Sequence, residues 1–346
     1  MANINSFGLD IGTKLLKVVM LHKDGIKLSF KSCLTAPMPA NGMASESSFD
    51  LEEIAQTIRK LVNDANIGTN NVHAALPDRS VYTKVVEVPQ LEKKDLASAI
   101  YWEAEQNIPS PLSTITLSWR PLRKRETPTD SLMDVLLVGA PTTLIRKYKY
   151  VLEMAGLNLI SLETEVLSVV RALGFNESSP STLVVNVSGY STSLVIIQKG
   201  LIVYTYSIPL GDIAINRAIC TELGFSDEQA EEYKRTYGLV DQQIGGKIAK
   251  AIQPILMSIV AEIKKSLAFY TEKYATELDI KQLVLAGDIC TLPGIDLFFV
   301  QTLGMETIIS DPWKMCNIHN VTQQVLKTKT DYAVAVGLAL KDYEQQ

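Results

Sequence analysis

Nothing in the chain suits a disulfide framework or a zinc site. Its 4 cysteines, Cys33, Cys220, Cys290 and Cys316, lie far apart and none belongs to a CxxC pair. Histidine is as scarce: His22, His73 and His319 make neither an HExxH helix nor a local triad signature. No uncharged apolar run approaches the ~20 residues that a membrane-spanning helix needs. The opening "MANINSFGLD" has no basic stretch leading into an apolar one, which reads as no signal peptide. A basic excess is missing too, and the net charge of -5 argues against a general nucleic-acid binder. "GGK" at 245–247 lacks the rest of a Walker A loop. The expectation is a cytoplasmic protein without direct membrane insertion.

What is present is an ordinary globular composition, 47% apolar and 21% charged over 346 residues, enough for two domains with real cores. "FGLDIGTKLLKVV" at 7–19 reads as strand, turn, strand, with Asp10 at the lip of the turn. A carboxylate between buried neighbours is costly unless something positive meets it. A hairpin turn is expected at Asp24-Gly25. Apolar residues at 51, 54, 55, 58, 61 and 62 predict a helix, and "KKDLASAIYWEAEQNIP" predicts another that stops near Pro109. From Thr182 the opening pattern returns in "TLVVNVSGYSTSLVIIQKGLIVYTYS", with Asn186 in the place of Asp10 and Ser188 in that of Gly12. A repeat of half the chain predicts two similar α/β domains, each aiming a strand-turn-strand at a shared cleft.

Two facing turns of Gly, Ser and Thr suit the phosphates of a nucleotide. Glycines let the backbone approach, and hydroxyls at Thr13, Ser191 and Thr192 add donors. Lys14 or Lys17 can add charge, and Asp10 would hold magnesium through water. A polar turn in a sandwich would look the same. Glu231 and Lys234 in "AEEYKRTYG" stand three apart on one helix face, as a solvated ion pair also would. "LVLAGDICTLPGI" at 283–295 reads as a buried strand, a glycine turn and a helix.

In this order the pieces resemble the actin-like ATPase superfamily: an α/β, ribonuclease H-like duplicated two-domain fold that binds ATP or ADP with magnesium. "ALPDRSVYTKVVEVPQLEKKDLASAIYWEAEQNIPSPL" at 75–112 is similar, more specifically, to the small inserted α+β subdomain of the type IV pilus assembly protein PilM family. The resemblance implies a first actin-like domain at 1–78 and 156–180, an insertion at 79–155, and a second domain at 181–346 whose 213–275 is helical. It makes Asp10, Gly12, Thr13 and Lys14 the first phosphate segment. Asn186, Ser188, Gly189, Ser191 and Thr192 are the second, with Gly211 in "SIPLGD" beside it. Glu231 and Lys234 would flank the adenosine, Gly287 and Asp288 would form its loop, and Glu165 would orient water. Asn186 and Ser188 replace the usual aspartate and glycine, and Asp288 replaces a second glycine, which points to a weak ATPase at most. The implied role is an adaptor docked to the inner-membrane platform by the cytoplasmic N-terminal peptide of a PilN-like protein. Other pilus assembly proteins, or a second copy, are further partners. Val81, Val85 and Tyr101 of the insertion are the expected peptide contacts. The alternatives are a phosphotransferring enzyme of the same superfamily and an FtsA-like filament protein. The polar "LALKDYEQQ" suits no membrane-anchoring helix.

Overall fold

The opening apolar run folds into a central strand, β1 (Phe7–Ile11), buried at every residue. A computed structural model of the chain describes residues 5–24, 27–126, 131–240, 246–273, 280–316 and 329–344. The expected turn at Gly25, His319 and Gly245 lie outside the described residues. β2 (Leu15–Asp24) and β3 (Lys27–Pro37) follow β1 as an antiparallel meander. β4 (Asn71–Leu76) and β8 (Asn158–Thr164) add to its other side in parallel, for the order β3-β2-β1-β4-β8.

The second sheet repeats this plan. β9 (Thr182–Val187), β10 (Thr192–Gln198) and β11 (Leu201–Ile208) form the meander, and β12 (Gln282–Gly287) and β13 (Glu306–Ile309) the parallel pair. Its order is β11-β10-β9-β12-β13. The repeat expected from two turns is therefore a repeat of the whole sheet.

Helix α1 (Ser48–Asp64) buries Leu51, Ile54, Ala55, Ile58, Leu61 and Val62, the six positions its period singled out, against the first sheet. α5 (Asp212–Leu223), α6 (Asp227–Tyr237), α7 (Lys247–Lys273) and α8 (Ile295–Leu303) share one core with the second sheet. Among the described residues no helix is long and apolar enough to cross a membrane.

The insertion is a three-stranded sheet of β5 (Tyr82–Pro89), β7 (Ser131–Pro141) and β6 (Ile115–Glu126), in the order β5-β7-β6. α2 (Lys93–Asn107) covers one of its faces, with Ile100 and Ala104 packed against Val86, Val88, Val135 and Leu137. Two expected boundaries need correction. α3 (Thr142–Met154) was placed within the insertion, yet its Tyr148, Val151 and Leu152 lie in the core of the first sheet. The helix Ala333–Ala339 was placed in the second domain, yet its Ala335, Val336 and Ala339 pack on Val19 and Leu21 of β2. In exchange α4 (Glu165–Ala172) sends Val166 and Val169 into the core of the second sheet. The two helices cross in contact, so each half of the molecule is capped by a helix that follows the other half in sequence.

That crossing depends on missing side chains. A Cβ on Gly337 would stand 1.8 Å from the Ser168 carbonyl oxygen, and one on Gly8 of β1 would stand 2.2 Å from that of Ala335.

Candidate functional site

The turn between β1 and β2 and the turn between β9 and β10 face each other across one cleft. A Cβ on Gly189 of the second turn would come within 2.6 Å of Thr13 Oγ1 in the first, so the two turns touch. Asp10, Gly12, Thr13, Lys14, Glu165 and Asn186 line this cleft, as do Ser188, Gly189, Glu231, Gly287 and Asp288. The structure thus brings together most of the residues expected for nucleotide binding. Gly287, with φ of 79°, occupies a conformation that suits glycine, and a Cβ there would meet the Val187 carbonyl at 2.2 Å.

Four expected residues are placed otherwise. Thr192 is fully buried and its hydroxyl donates to the Leu210 carbonyl at 2.8 Å, which takes it out of phosphate binding. Ser191 lines a neighbouring cavity beside Thr13, Arg79 and Tyr190, where the Arg79 guanidinium lies 3.8 Å from the Tyr190 ring centroid. Gly211 caps α5 and packs against the Ser188 carbonyl. Lys234 is buried behind the cleft wall, donating to Asp212 Oδ1 at 2.5 Å and Glu231 Oε2 at 3.0 Å.

Asp10 has its positive partner inside the chain. β1 and β2 pair with Asp10 directly opposite Lys17, and the ammonium donates to Asp10 Oδ2 at 3.2 Å with both side chains buried. Burial alone would pull the Lys17 pKa down, but the carboxylates of Asp10, Asp288 and Asp331 outweigh it and hold it above the lysine range. Counting outward from the turn could have found this pair, since residues 10 and 17 fall at matching distances from its tip. Asn216, Arg235, Thr330 and Asp331 carried no such local signal.

A second cluster spans the cleft. Lys14, on the first turn, donates to Asp212 Oδ2 at 3.0 Å and Glu231 Oε2 at 2.5 Å on the far side. Glu231 also accepts from Arg235 Nε at 2.7 Å and Asn216 Nδ2 at 2.8 Å. Burial works against ionisation of Glu231, but Lys234, Lys14 and Arg235 prevail and hold its carboxyl well below the usual range. The cleft they close is narrow, with about 70 Å³ of free volume against roughly 300 Å³ or more for most small-molecule sites. So narrow a cleft admits a ligand of that size only if the halves part.

Glu165 and Asp78 form a buried acid pair at the junction of the halves. The Asp78 N–H approaches Glu165 Oε2 at 3.5 Å, while the Asp78 carboxylate accepts from the Val166 N–H at 3.1 Å and from Ser193 Oγ at 2.7 Å. Burial raises Asp78 to about 6. Burial, then the charges of Asp78 and Asp10, push Glu165 well above the carboxylate range. Both folded values exceed the unfolded ones, so folding takes up protons and stability falls as pH rises from about 4 towards 6. Asp78→Asn, which can keep both hydrogen bonds, is expected to flatten that fall and to stabilise the protein above pH 6. Urea midpoints measured across this range check it; a slope unchanged by the substitution would assign the titration to other groups.

The expected peptide contacts do not converge. Val81 is buried in the first core, and Val85 packs against the core between α4 and the second sheet. Tyr101 stands 53% exposed on the outer side of α2. The free edge of β5 is also approached by β11, where Thr205 Oγ1 donates to the Thr83 carbonyl at 2.7 Å. Instead a cavity of about 590 Å³ opens on the other side of the insertion, beyond α4. Leu122, Leu136 and Val138 of the inserted sheet, Leu167 of α4, and Phe175 and Leu201 line it. Arg120, Arg171 and Lys341 stand at its rim with Glu163 and Glu344. Despite its burial, Glu163 is held at about 2 by Arg171 and Lys341.

A family profile described as "Type IV pilus assembly protein PilM" matches residues 8–343. The cell division protein FtsA of Bacillus subtilis (strain 168) is 24% identical over 256 residues, which cover 66% of this chain and 57% of FtsA. The chain thus spans little more than half the length of that relative. A solved PilM-PilN type IV pilus biogenesis complex superposes with a TM-score of 0.85 at 26% identity, over 99% of this chain and 100% of the other. MreB5 of Spiroplasma citri bound to ADP shares the fold at 14% identity, with a TM-score of 0.52 over 96% and 94% of the two chains. The duplicated α/β architecture is actin-like, as the sequence led us to expect.

Proposed function

The chain belongs to the type IV pilus assembly protein PilM family, and on that premise we propose that it is a nucleotide-binding adaptor that captures the N-terminal peptide of a PilN-like membrane protein. The observation that carries this reading is the 590 Å³ cavity. A three-stranded sheet with apolar side chains on both faces needs two covers. α2 supplies one, and the other face looks into the cavity across to α4. An extended peptide that buries a few apolar side chains there completes the packing, beside a rim where Arg171 and Lys341 are already paired with Glu163 and Glu344. The solved relative in complex with PilN supports a PilN-like partner. Such a peptide would tether a cytoplasmic adaptor to the inner-membrane platform.

The cleft suits a nucleotide. Lys14, Lys17 and the two small-residue turns form an end for phosphates, and one buried acceptor, Asp331 Oδ1, has no donor among the described residues. Asp10 would hold magnesium through water, sharing its carboxylate with Lys17. ATP or ADP with magnesium supplies, when bound, a charged bridge between the halves. Hydrolysis is expected to be slow, because burial and the charges of Asp78 and Asp10 hold the Glu165 carboxyl well above the usual range and Asn186 offers no base.

A fluorescent N-terminal peptide of the PilN-like protein from the same organism tests the adaptor. Saturable binding is expected, weakened at least about tenfold by Leu122→Asp at the rim of the cavity and unchanged by Tyr101→Ala. Binding no stronger than that of a scrambled peptide sinks the proposal.

A further inference from the structure

The cations that line the cleft are already matched. Lys14 pairs with Asp212 and Glu231, Lys17 with Asp10, and Arg235 with Glu231. Glu165, Asp288 and Asp331 add further carboxyls to the same walls, so a phosphate finds little unspent positive charge there. Arg79 is different. It is exposed on the 3-10 turn Asp78–Ser80, where the insertion begins, and among the described residues its guanidinium has no carboxylate partner and donates no hydrogen bond. What holds it in place is the ring of Tyr190, whose centroid lies 3.8 Å away. Tyr190 stands at the tip of the second turn, so the stacking fixes a fork of N–H donors beside that turn.

Arg79 and Tyr190 line a side cavity of about 160 Å³ with Gly12 and Thr13 of the first turn and Ser188 and Ser191 of the second. Gly12, Thr13, Glu165 and Ser188 also line the cleft, so the two spaces meet at the turns. Donors are to spare there: the N–H groups of Thr13, Gly189 and Tyr190 have no acceptor among the described residues. Glu165 is the one carboxyl among the residues that line the side cavity. Burial and the charges of Asp78 and Asp10 hold it well above the usual range, which limits its repulsion of an anion. Asp78, next to Arg79 in sequence, turns its carboxylate to the Val166 N–H and the Ser193 hydroxyl. A guanidinium beside turns with unused N–H donors suits a phosphate group.

We propose that Arg79 binds the terminal phosphate of a nucleoside triphosphate held in the cleft, so that the protein distinguishes the triphosphate from the diphosphate. The proposal rests on the nucleotide reading of the cleft and deepens it. The inner phosphates stay between the two turns, and only the outermost reaches past them into the side cavity. Free orthophosphate offers the same chemistry from a second source.

Titration calorimetry on the full chain, in constant magnesium, compares ADP, the non-hydrolysable triphosphate analogue AMPPNP, and orthophosphate alone. The parent is expected to bind AMPPNP about tenfold more tightly than ADP. Arg79→Gln, at an exposed position, should bring that ratio to one through loss of affinity for AMPPNP. Damage to the fold would instead weaken both nucleotides and leave the ratio in place. Arg79→Lys keeps the charge without the planar fork and should retain part of the ratio. A parent that binds ADP and AMPPNP equally overturns the proposal and leaves the nucleotide reading standing, as does a ratio that survives in Arg79→Gln. If that parent also binds orthophosphate alone, and Arg79→Gln does not, the cavity belongs to the free ion. A parent that binds neither nucleotide overturns both.

Discussion

Lys17→Met is expected to lower stability by about 3 to 5 kcal/mol at neutral pH, the cost of leaving a buried charge without its partner. Lys17 and Asp10 are 8% and 4% exposed and lie opposite each other across β1 and β2, so little solvent reaches the carboxylate when the ammonium is removed. Asp288 and Asp331 add further negative charge around the same point. The double variant Asp10→Asn/Lys17→Met removes both charges and should recover most of the loss. Urea unfolding of the four proteins closes the cycle. Additive losses in that cycle would mean that the two residues do not depend on each other. Magnesium-ATP adds a separate test: rescue of Lys17→Met by the metal complex would show that a bound cation can stand where the lysine stood.

The second large effect is expected at Gly337. Its α-carbon faces the backbone of Ser168, where an added methyl would lie 1.8 Å from the carbonyl oxygen and 2.4 Å from the carbonyl carbon. Backbone cannot move aside as the tip of a side chain can, so the crossing helices must separate. Gly337→Ala should cost about 3 kcal/mol or more, enough to lower the melting temperature by on the order of 5 to 10 °C. Because α4 carries Glu165 into the cleft and Leu167 into the cavity, the shift should weaken nucleotide and peptide binding together. Gly68→Ala is the control: nothing lies within 4 Å of the added carbon, and stability should change by less than about 0.5 kcal/mol. Calorimetric scans of both variants distinguish a steric role for Gly337 from a general intolerance of the substitution.

Much of the architecture is written in local periodicity. The buried face of α1 and the meander that opens each half follow from apolar spacing within a dozen residues, because that spacing decides which side of an element leaves water. The two facing turns were legible for the same reason: small residues between buried strands, repeated in the same order. Even the Asp10–Lys17 pair was within reach, since a hairpin register is set by its turn.

The rest was decided by how distant elements pack. No local pattern shows that α3 belongs to the first core, or that α4 and the last helix exchange halves. The cavity draws its walls from all three sheets and from the end of the chain, which is why Val81 and Val85, apolar and well placed along the sequence, prove to be covered. Asp331 and Arg235 reach the cleft only because helices far apart in sequence close over it. Periodicity records whether a side chain is buried. It does not record against what, and the chemistry of this cleft is set by which charges meet there and which oxygen is left without a donor.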